Sequence, residues 1–145
     1  MPQYESDRIR KLVSQMREAV SQLKRLKKYE KKVFLNDPDK IGSAKYNFIV
    51  AIEAAIDMCN HIISRNGYRT PEDYSDTFAV LGEQGAFESS FTNELKDMAK
   101  FRNRLVHIYW EIDDNKIYEI LLTRLDDFKY FLVKLAEFLN LAKLS

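Results

Sequence analysis

Residues 36–67 read NDPDKIGSAKYNFIVAIEAAIDMCNHIISRNG, and this stretch decides the fold class. Asp37 can cap a helix. Pro38 suits the first helical position, where its missing N–H would have no intrahelical partner anyway. Ile41, Phe48, Ile52, Ala55, Ile56, Cys59, Ile62 and Ile63 then recur at helical spacing, and Gly67 is a natural stop. The spacing predicts a helix from Pro38 to Asn66, with Gly42 as a weak point near its start. Its apolar stripe is wide, the mark of a central helix or of one that meets two partners.

The same reading extends in both directions. On the N-terminal side, Ile9, Leu12, Val13, Met16, Val20, Leu23 and Leu26 form one stripe, which predicts a helix over about Asp7–Phe34 capped by Ser6. On the C-terminal side, Thr70-Pro71-Glu72-Asp73 predicts a short helix running through Leu81, ended by Gly82 and Gly85. A helix over about Glu88–His107 turns Phe91, Leu95, Met98, Phe101 and Leu105 inward. Asp113-Asp114 opens the last helix, where acidic residues suit the positive end of the dipole. That helix carries Ile117, Ile120, Leu121, Leu125, Phe128, Phe131, Leu132, Leu135 and Phe138. No segment alternates with period two. The expectation is an all-α antiparallel bundle of four long helices and one short one, in a single domain over residues 1–145.

Composition narrows the function. Of 145 residues, 46% are hydrophobic and 31% charged, and the formal net charge is only +1. The field of the whole molecule is therefore not that of a broadly polyanion-binding protein, and an RNA ligand would have to be attracted by a local cleft. Cys59 is the only cysteine, which rules out an intrachain disulfide and suits a reducing compartment. The opening MPQYESDRIRKL has no apolar signal core, and no run approaches the roughly 20 apolar residues of a membrane span. These features predict a cytoplasmic protein that does not associate with membranes.

The chemistry concentrates in Arg102-Asn103-Arg104-Leu105-Val106-His107-Ile108-Tyr109. An arginine fork can bind a phosphate and stabilise the charge that builds on it. A histidine can move the proton of a ribose hydroxyl or of a leaving oxygen. RNA brings its own nucleophile, the 2′-hydroxyl, so the residue types require neither metal nor cofactor. The spacing is awkward: at about 100° per residue, Arg102 and His107 point roughly 140° apart on a straight helix. They converge only if the helix ends or bends near His107, or if two chains share one cleft. The other reading of the same residues is structural, with Arg102 and Arg104 paired to Asp97, Glu111 or other acids and His107 hydrogen-bonded at a helix end.

Four other features carry weaker signals. His61 lies one turn after Asp57, and a structural pair at the edge of the core is the favoured reading. Two histidines without matching spacing or cysteine partners do not define a metal site. The basic run Lys24–Lys32 can attract RNA or an acidic partner, but reads better as a solvated face. Lys45 and Tyr46 read as surface residues. Trp110, the only tryptophan, can stack on a base, pack the wall of a cleft or make a dimer contact.

The segment Met98–Tyr109 resembles the signature of the HEPN superfamily, and of its HepT-like toxins in particular. That pattern is an arginine, four residues, a histidine, one residue and a tyrosine, with a polar residue directly after the arginine. Arg102, Asn103, His107 and Tyr109 fill it. Residues 54–63, 69–76 and 117–121 are similar to further family segments in the same order, so the resemblance spans roughly Phe34 to Leu139. It implies a helical homodimer with the motif in a cleft at the interface. It also implies a metal-independent endoribonuclease acting as the toxin of a toxin–antitoxin pair. Arg102 and His107 would be catalytic, with Asn103 in support. The implied partner is a small nucleotidyltransferase antitoxin that silences the toxin by transferring AMP to Tyr109. A module that binds a nucleotide or scaffolds the nucleotidyltransferase without turnover is the alternative.

Overall fold

The structure, a computed structural model, describes residues 1–144. Among these residues it contains seven α-helices, one 3-10 turn and no strand. In chain order the helices are α1 (Ser6–Lys27), α2 (Lys31–Leu35), α3 (Pro38–Asn66), α4 (Tyr74–Glu83), α5 (Ser89–His107), α6 (Asp114–Thr123) and α7 (Asp126–Phe138). The 3-10 turn, Tyr109–Glu111, follows α5 directly.

Helix α3 is the axis of the molecule and packs against α1, α2, α4, α5 and α6. Its start and stop arise locally. The Asp37 side chain accepts the backbone N–H groups of Asp39 and Lys40, with Pro38 in the first turn, and Gly67 closes the helix at φ 64°. That left-handed conformation costs glycine little and other residues more. All eight apolar positions expected to point inward on α3 are buried. So are Ala44, Ala51, Ala54 and Met58. These extra buried positions are why the stripe reads as wide: α3 is covered on several sides.

The expected first helix, Asp7–Phe34, is in fact two. It ends at Lys27, and α2 restarts at Lys31. A contact from far along the chain meets the break. The Tyr118 hydroxyl donates to the Tyr29 carbonyl at 2.8 Å, so that carbonyl is satisfied from outside α1. The turn lets Phe34 bury itself completely, with its ring 5.2 Å from that of Tyr118. The expected last helix is also divided, between α6 and α7. The Thr123 hydroxyl donates back to the Glu119 carbonyl at 2.8 Å, a contact that bends helices. Arg124 then pairs with Asp127 at 2.8 Å across the joint.

The short helix begins at Tyr74 rather than at Pro71. Asp73, not Thr70, is its cap, accepting the Asp76 N–H at 2.7 Å. The connector before it is fastened by Arg69, which donates to both carboxylate oxygens of Asp76 and to Glu83. These bonds hold the Asp76 carboxyl down at about 2, with the Arg69 hydrogen bond as the leading cause, and push the Arg69 guanidinium further up.

Candidate functional site

Helix α5 carries Arg102, Asn103 and His107, and His107 is its last residue. Ile108 leaves helical geometry at φ −132° and ψ 42°. The chain turns there, and Tyr109 swings back against α3.

Arg102 is held from three directions. Its Nε and Nη2 donate to Glu53 Oε2 on α3, at 2.9 and 2.6 Å. Its Nη1 donates to Asn103 Oδ1 at 3.1 Å. The Tyr74 ring at the start of α4 covers one face of the guanidinium, with Cζ 4.8 Å from the ring centroid. The Arg102 side chain keeps only 14% of its surface exposed, against 41% for Glu53. Asp57, one turn beyond Glu53, has its carboxyl held above the ordinary range, chiefly by desolvation. Arg8 acts against that shift and Glu53 with it.

Tyr109 is fixed by a second set of contacts on the same helix. Lys45 Nζ donates to the Tyr109 carbonyl at 3.0 Å, lies 4.3 Å from the centroid of its ring, and stands 3.6 Å from Asp114 Oδ1. The phenol oxygen rests over Gly42, where an added Cβ would lie 3.7 Å from it. Lys45 was expected at the surface and is instead 5% exposed. The sequence does contain a signal for this. Lys45 falls one turn after Ile41 and one before Phe48, on the apolar stripe itself, where a lysine buries its stem and seeks a partner for its ammonium.

His107 stands apart from both groups. It is exposed, and its side chain makes no hydrogen bond or ion pair among the described residues. Because α5 runs regularly through it, the angle of roughly 140° from Arg102 is retained. The structure therefore brings Arg102 and Asn103 together, ties Tyr109 to α3, and leaves His107 at the open end of the helix. Arg102 pairs with Glu53, not with Asp97 or Glu111. Arg104 lies over the Phe101 ring at 5.8 Å. Large apolar side chains are exposed around the turn: Val106, Ile108 and Trp110, with Tyr46 exposed on α3 beside Lys45. The Trp110 ring meets Tyr109 edge-on, centroids 6.4 Å apart.

Two other features resolve differently from the expectations. His61 does not pair with Asp57. Its Nε2 accepts the backbone N–H of Glu5 at 2.8 Å, and its pKa is lowered first by burial and then by Arg65. The Lys24–Lys32 run spans the joint between α1 and α2 with its basic side chains exposed. Part of it edges a concavity of about 700 Å³ between α1 and α7, to which none of the four motif residues contributes. Among the described residues no three His, Cys, Asp or Glu side chains gather into a cation site. No helix among them is long and apolar enough to cross a membrane.

The arrangement, an all-helical bundle with an arginine and a histidine on one helix and a tyrosine on the turn after it, belongs to the HEPN-like class of folds. A solved structure of a tri-AMPylated Shewanella oneidensis HEPN toxin in complex with an MNT antitoxin superposes with a TM-score of 0.84 at 22% identity, covering 92% of this chain and 99% of that one. Residues 16–135 match the model of the ribonuclease HepT-like family, and the chain belongs to that family. It is 30% identical over 80 residues to the mRNA nuclease HepT of Shewanella oneidensis, a match spanning 55% of this chain and 60% of that relative. A putative RNase of Archaeoglobus fulgidus is 30% identical over 97 residues, 67% of this chain and 70% of its own length.

Proposed function

We propose that this chain is a metal-independent endoribonuclease, the toxin of a toxin–antitoxin pair, working in the cytoplasm as a homodimer. One observation carries the reading. Arg102 is locked in orientation by Glu53, Asn103 and Tyr74, while His107 of the same helix is left exposed and unpartnered among the described residues. A fixed cation and a free imidazole are what in-line attack on a phosphodiester needs. In the proposed reaction, the 2′-hydroxyl oxygen attacks the adjacent phosphorus, its proton passing to a base. The bond to the 5′-oxygen breaks, and that oxygen takes a proton from an acid. The products are a 2′,3′-cyclic phosphate end and a 5′-hydroxyl end. Arg102 binds the scissile phosphate, and Asn103 supports it. His107 of one chain acts as base or acid, with its symmetry mate in the other role.

The homodimer resolves the angle between the two residues. Neither has to reach the other within a chain if each faces a shared cleft. The exposed Val106, Ile108 and Trp110 beside His107 are the kind of apolar surface that a second copy covers. The relatives support the activity by family: one is named an mRNA nuclease, and another structure is a toxin AMPylated in complex with an MNT antitoxin. By that likeness, Tyr109 is the acceptor of AMP from a nucleotidyltransferase antitoxin. A phosphate placed there, on the turn directly after His107, introduces negative charge at the mouth of the site.

The test is cleavage of RNA by the purified chain in EDTA, with the product ends identified. His107→Ala and Arg102→Ala are each expected to lower the rate at least about 100-fold while leaving the helical content unchanged. Cleavage by His107→Ala at the wild-type rate rules out this mechanism. Binding of RNA without cleavage by the wild type supports a non-catalytic nucleotide-binding or scaffold module instead, a reading favoured by the separation of Arg102 from His107 within one chain.

A further inference from the structure

Glu53 lies outside the motif, on a different helix, 49 positions before Arg102 in the chain. We infer that Glu53 is the positioning residue for Arg102: its carboxylate sets the plane of the guanidinium and so aims the donors that meet the phosphate. The inference rests on the reaction proposed above.

The argument begins with donor counting. A guanidinium has five N–H groups in a rigid fork. Nε–H and one Nη2–H converge on a single oxygen, Glu53 Oε2, at 2.9 and 2.6 Å. One Nη1–H goes to Asn103 Oδ1 at 3.1 Å. Two donors remain, one on each terminal nitrogen, enough for two non-bridging oxygens of one phosphate. Their direction is set by the three that are used, because the group is planar. Tyr74 closes one face and removes the remaining freedom to tip.

Burial indicates which partner serves which. The Arg102 side chain is 14% exposed and that of Glu53 is 41% exposed. A guanidinium sheltered to that degree needs a fixed acceptor for its N–H groups, whereas the carboxylate remains largely hydrated. Glu53 is therefore the anchor that lets Arg102 sit still in a sheltered place. It also withdraws some positive charge from the phosphate site, so pure anion affinity is not what its presence favours. Orientation is, and orientation appears in the chemical step rather than in binding.

The experiment measures kcat and KM for RNA cleavage together with binding of a non-cleavable RNA bearing a 2′-deoxyribose at the scissile position. For Glu53→Ala, kcat is expected to fall about tenfold or more, with KM and analogue binding within about threefold of wild type. Glu53→Gln, whose amide oxygen can accept the same two N–H groups, is expected to recover most of the rate. Glu53→Asp keeps the charge on a shorter arm and is expected to be slow. This pair decides the matter even if the alanine variant does not fold. The double variant Glu53→Ala with Arg102→Ala is expected to be no slower than Arg102→Ala alone. Three results overturn the role: a Glu53→Ala enzyme with wild-type kcat, a rise in kcat/KM (Glu53 then merely competes with the phosphate), or an active Glu53→Asp beside an inactive Glu53→Gln. If the wild type cleaves no RNA at all, the reaction falls and this role falls with it. If the wild type cleaves and Glu53→Ala cleaves equally well, only the role of Glu53 falls.

Discussion

At the residue scale, two side chains of α3 organise what α5 and the turn present, and they do so about 12 Å apart along one helix, the rise over the eight residues from Lys45 to Glu53. Glu53 takes Arg102, and Lys45 takes Tyr109. Lys45 is the more committed of the two, because its ammonium is buried and has specific partners. Replacing it with methionine keeps the stem and deletes the donor, leaving the Tyr109 carbonyl without its hydrogen bond. Lys45→Met is expected to cost about 1–3 kcal/mol in urea unfolding. A change below about 0.5 kcal/mol would show that the clamp contributes nothing to stability. The motif itself was legible in the sequence, because residue types at fixed spacing are a one-dimensional signal. Glu53 was not. It follows Ile52 at the margin of the stripe, and nothing in its neighbours says that α5 will return beside it. Lys45 was misread as surface although its place on the stripe was visible.

At the element scale, some local signals were readable and others were not: Ser6 opens α1 without a side-chain cap, Asp73 rather than Thr70 caps α4, and Gly82 lies inside α4 instead of ending it. Asp37, Gly67 and Asp113 act within a turn of where they sit, and each does what its type and position predict. The breaks at Lys28–Glu30 and Arg124–Leu125 both interrupt stripes that run on without pause, the second at local contacts of Thr123 and Arg124 that an apolar pattern does not register. At the first, Tyr118, 89 positions later, supplies the Tyr29 carbonyl with a donor, a contact no local pattern announces. The approach of α4 to α5 carries a prediction of its own. A Cβ on Gly82 would fall 2.7 Å from Thr92 Oγ1, 3.1 Å from Cγ2 and 3.5 Å from Cβ. Rotating Thr92 can turn Hβ toward the new methyl, but it leaves a γ atom in the 3.1 Å position and gives up the Thr92 hydroxyl's bond to the Glu88 carbonyl, so the contact stays costly. Gly82→Ala is expected to destabilise by roughly 1–3 kcal/mol despite the better helix propensity of alanine. Adding Thr92→Ala is expected to recover most of the loss. If Gly82→Ala alone is as stable as wild type in thermal unfolding, the two helices are not in tight contact there.

At the scale of the whole molecule, the N-terminal strand of chain before α1 is tied to α3 by a bond that exists only while His61 is neutral. Its Nε2 accepts from the Glu5 N–H, and Gln3 and Asn66 exchange two further hydrogen bonds nearby. The His61 pKa is lowered in the fold, first by burial. The unfolded chain therefore binds the proton more readily. The stabilisation is complete above the unfolded value of about 6.5 and is lost as the pH falls below it. Thermal midpoints are expected to drop as the pH goes from about 7.5 to about 5.5, and His61→Gln is expected to blunt that drop. An equal drop in the variant would place the sensitive group elsewhere. A separate loss belongs to Asp76, whose pairing with Arg69 survives until the pH falls through about 2. Finally, Trp110 is the only tryptophan of the chain, is 85% exposed and stands edge-on to Tyr109. Nature has thus placed a single fluorophore at the corner where a second copy, an RNA strand or an adenylylated tyrosine would arrive. Its emission, red-shifted while the indole faces water, turns blue when that corner is covered, so unlabelled protein would report whether the proposed assembly forms.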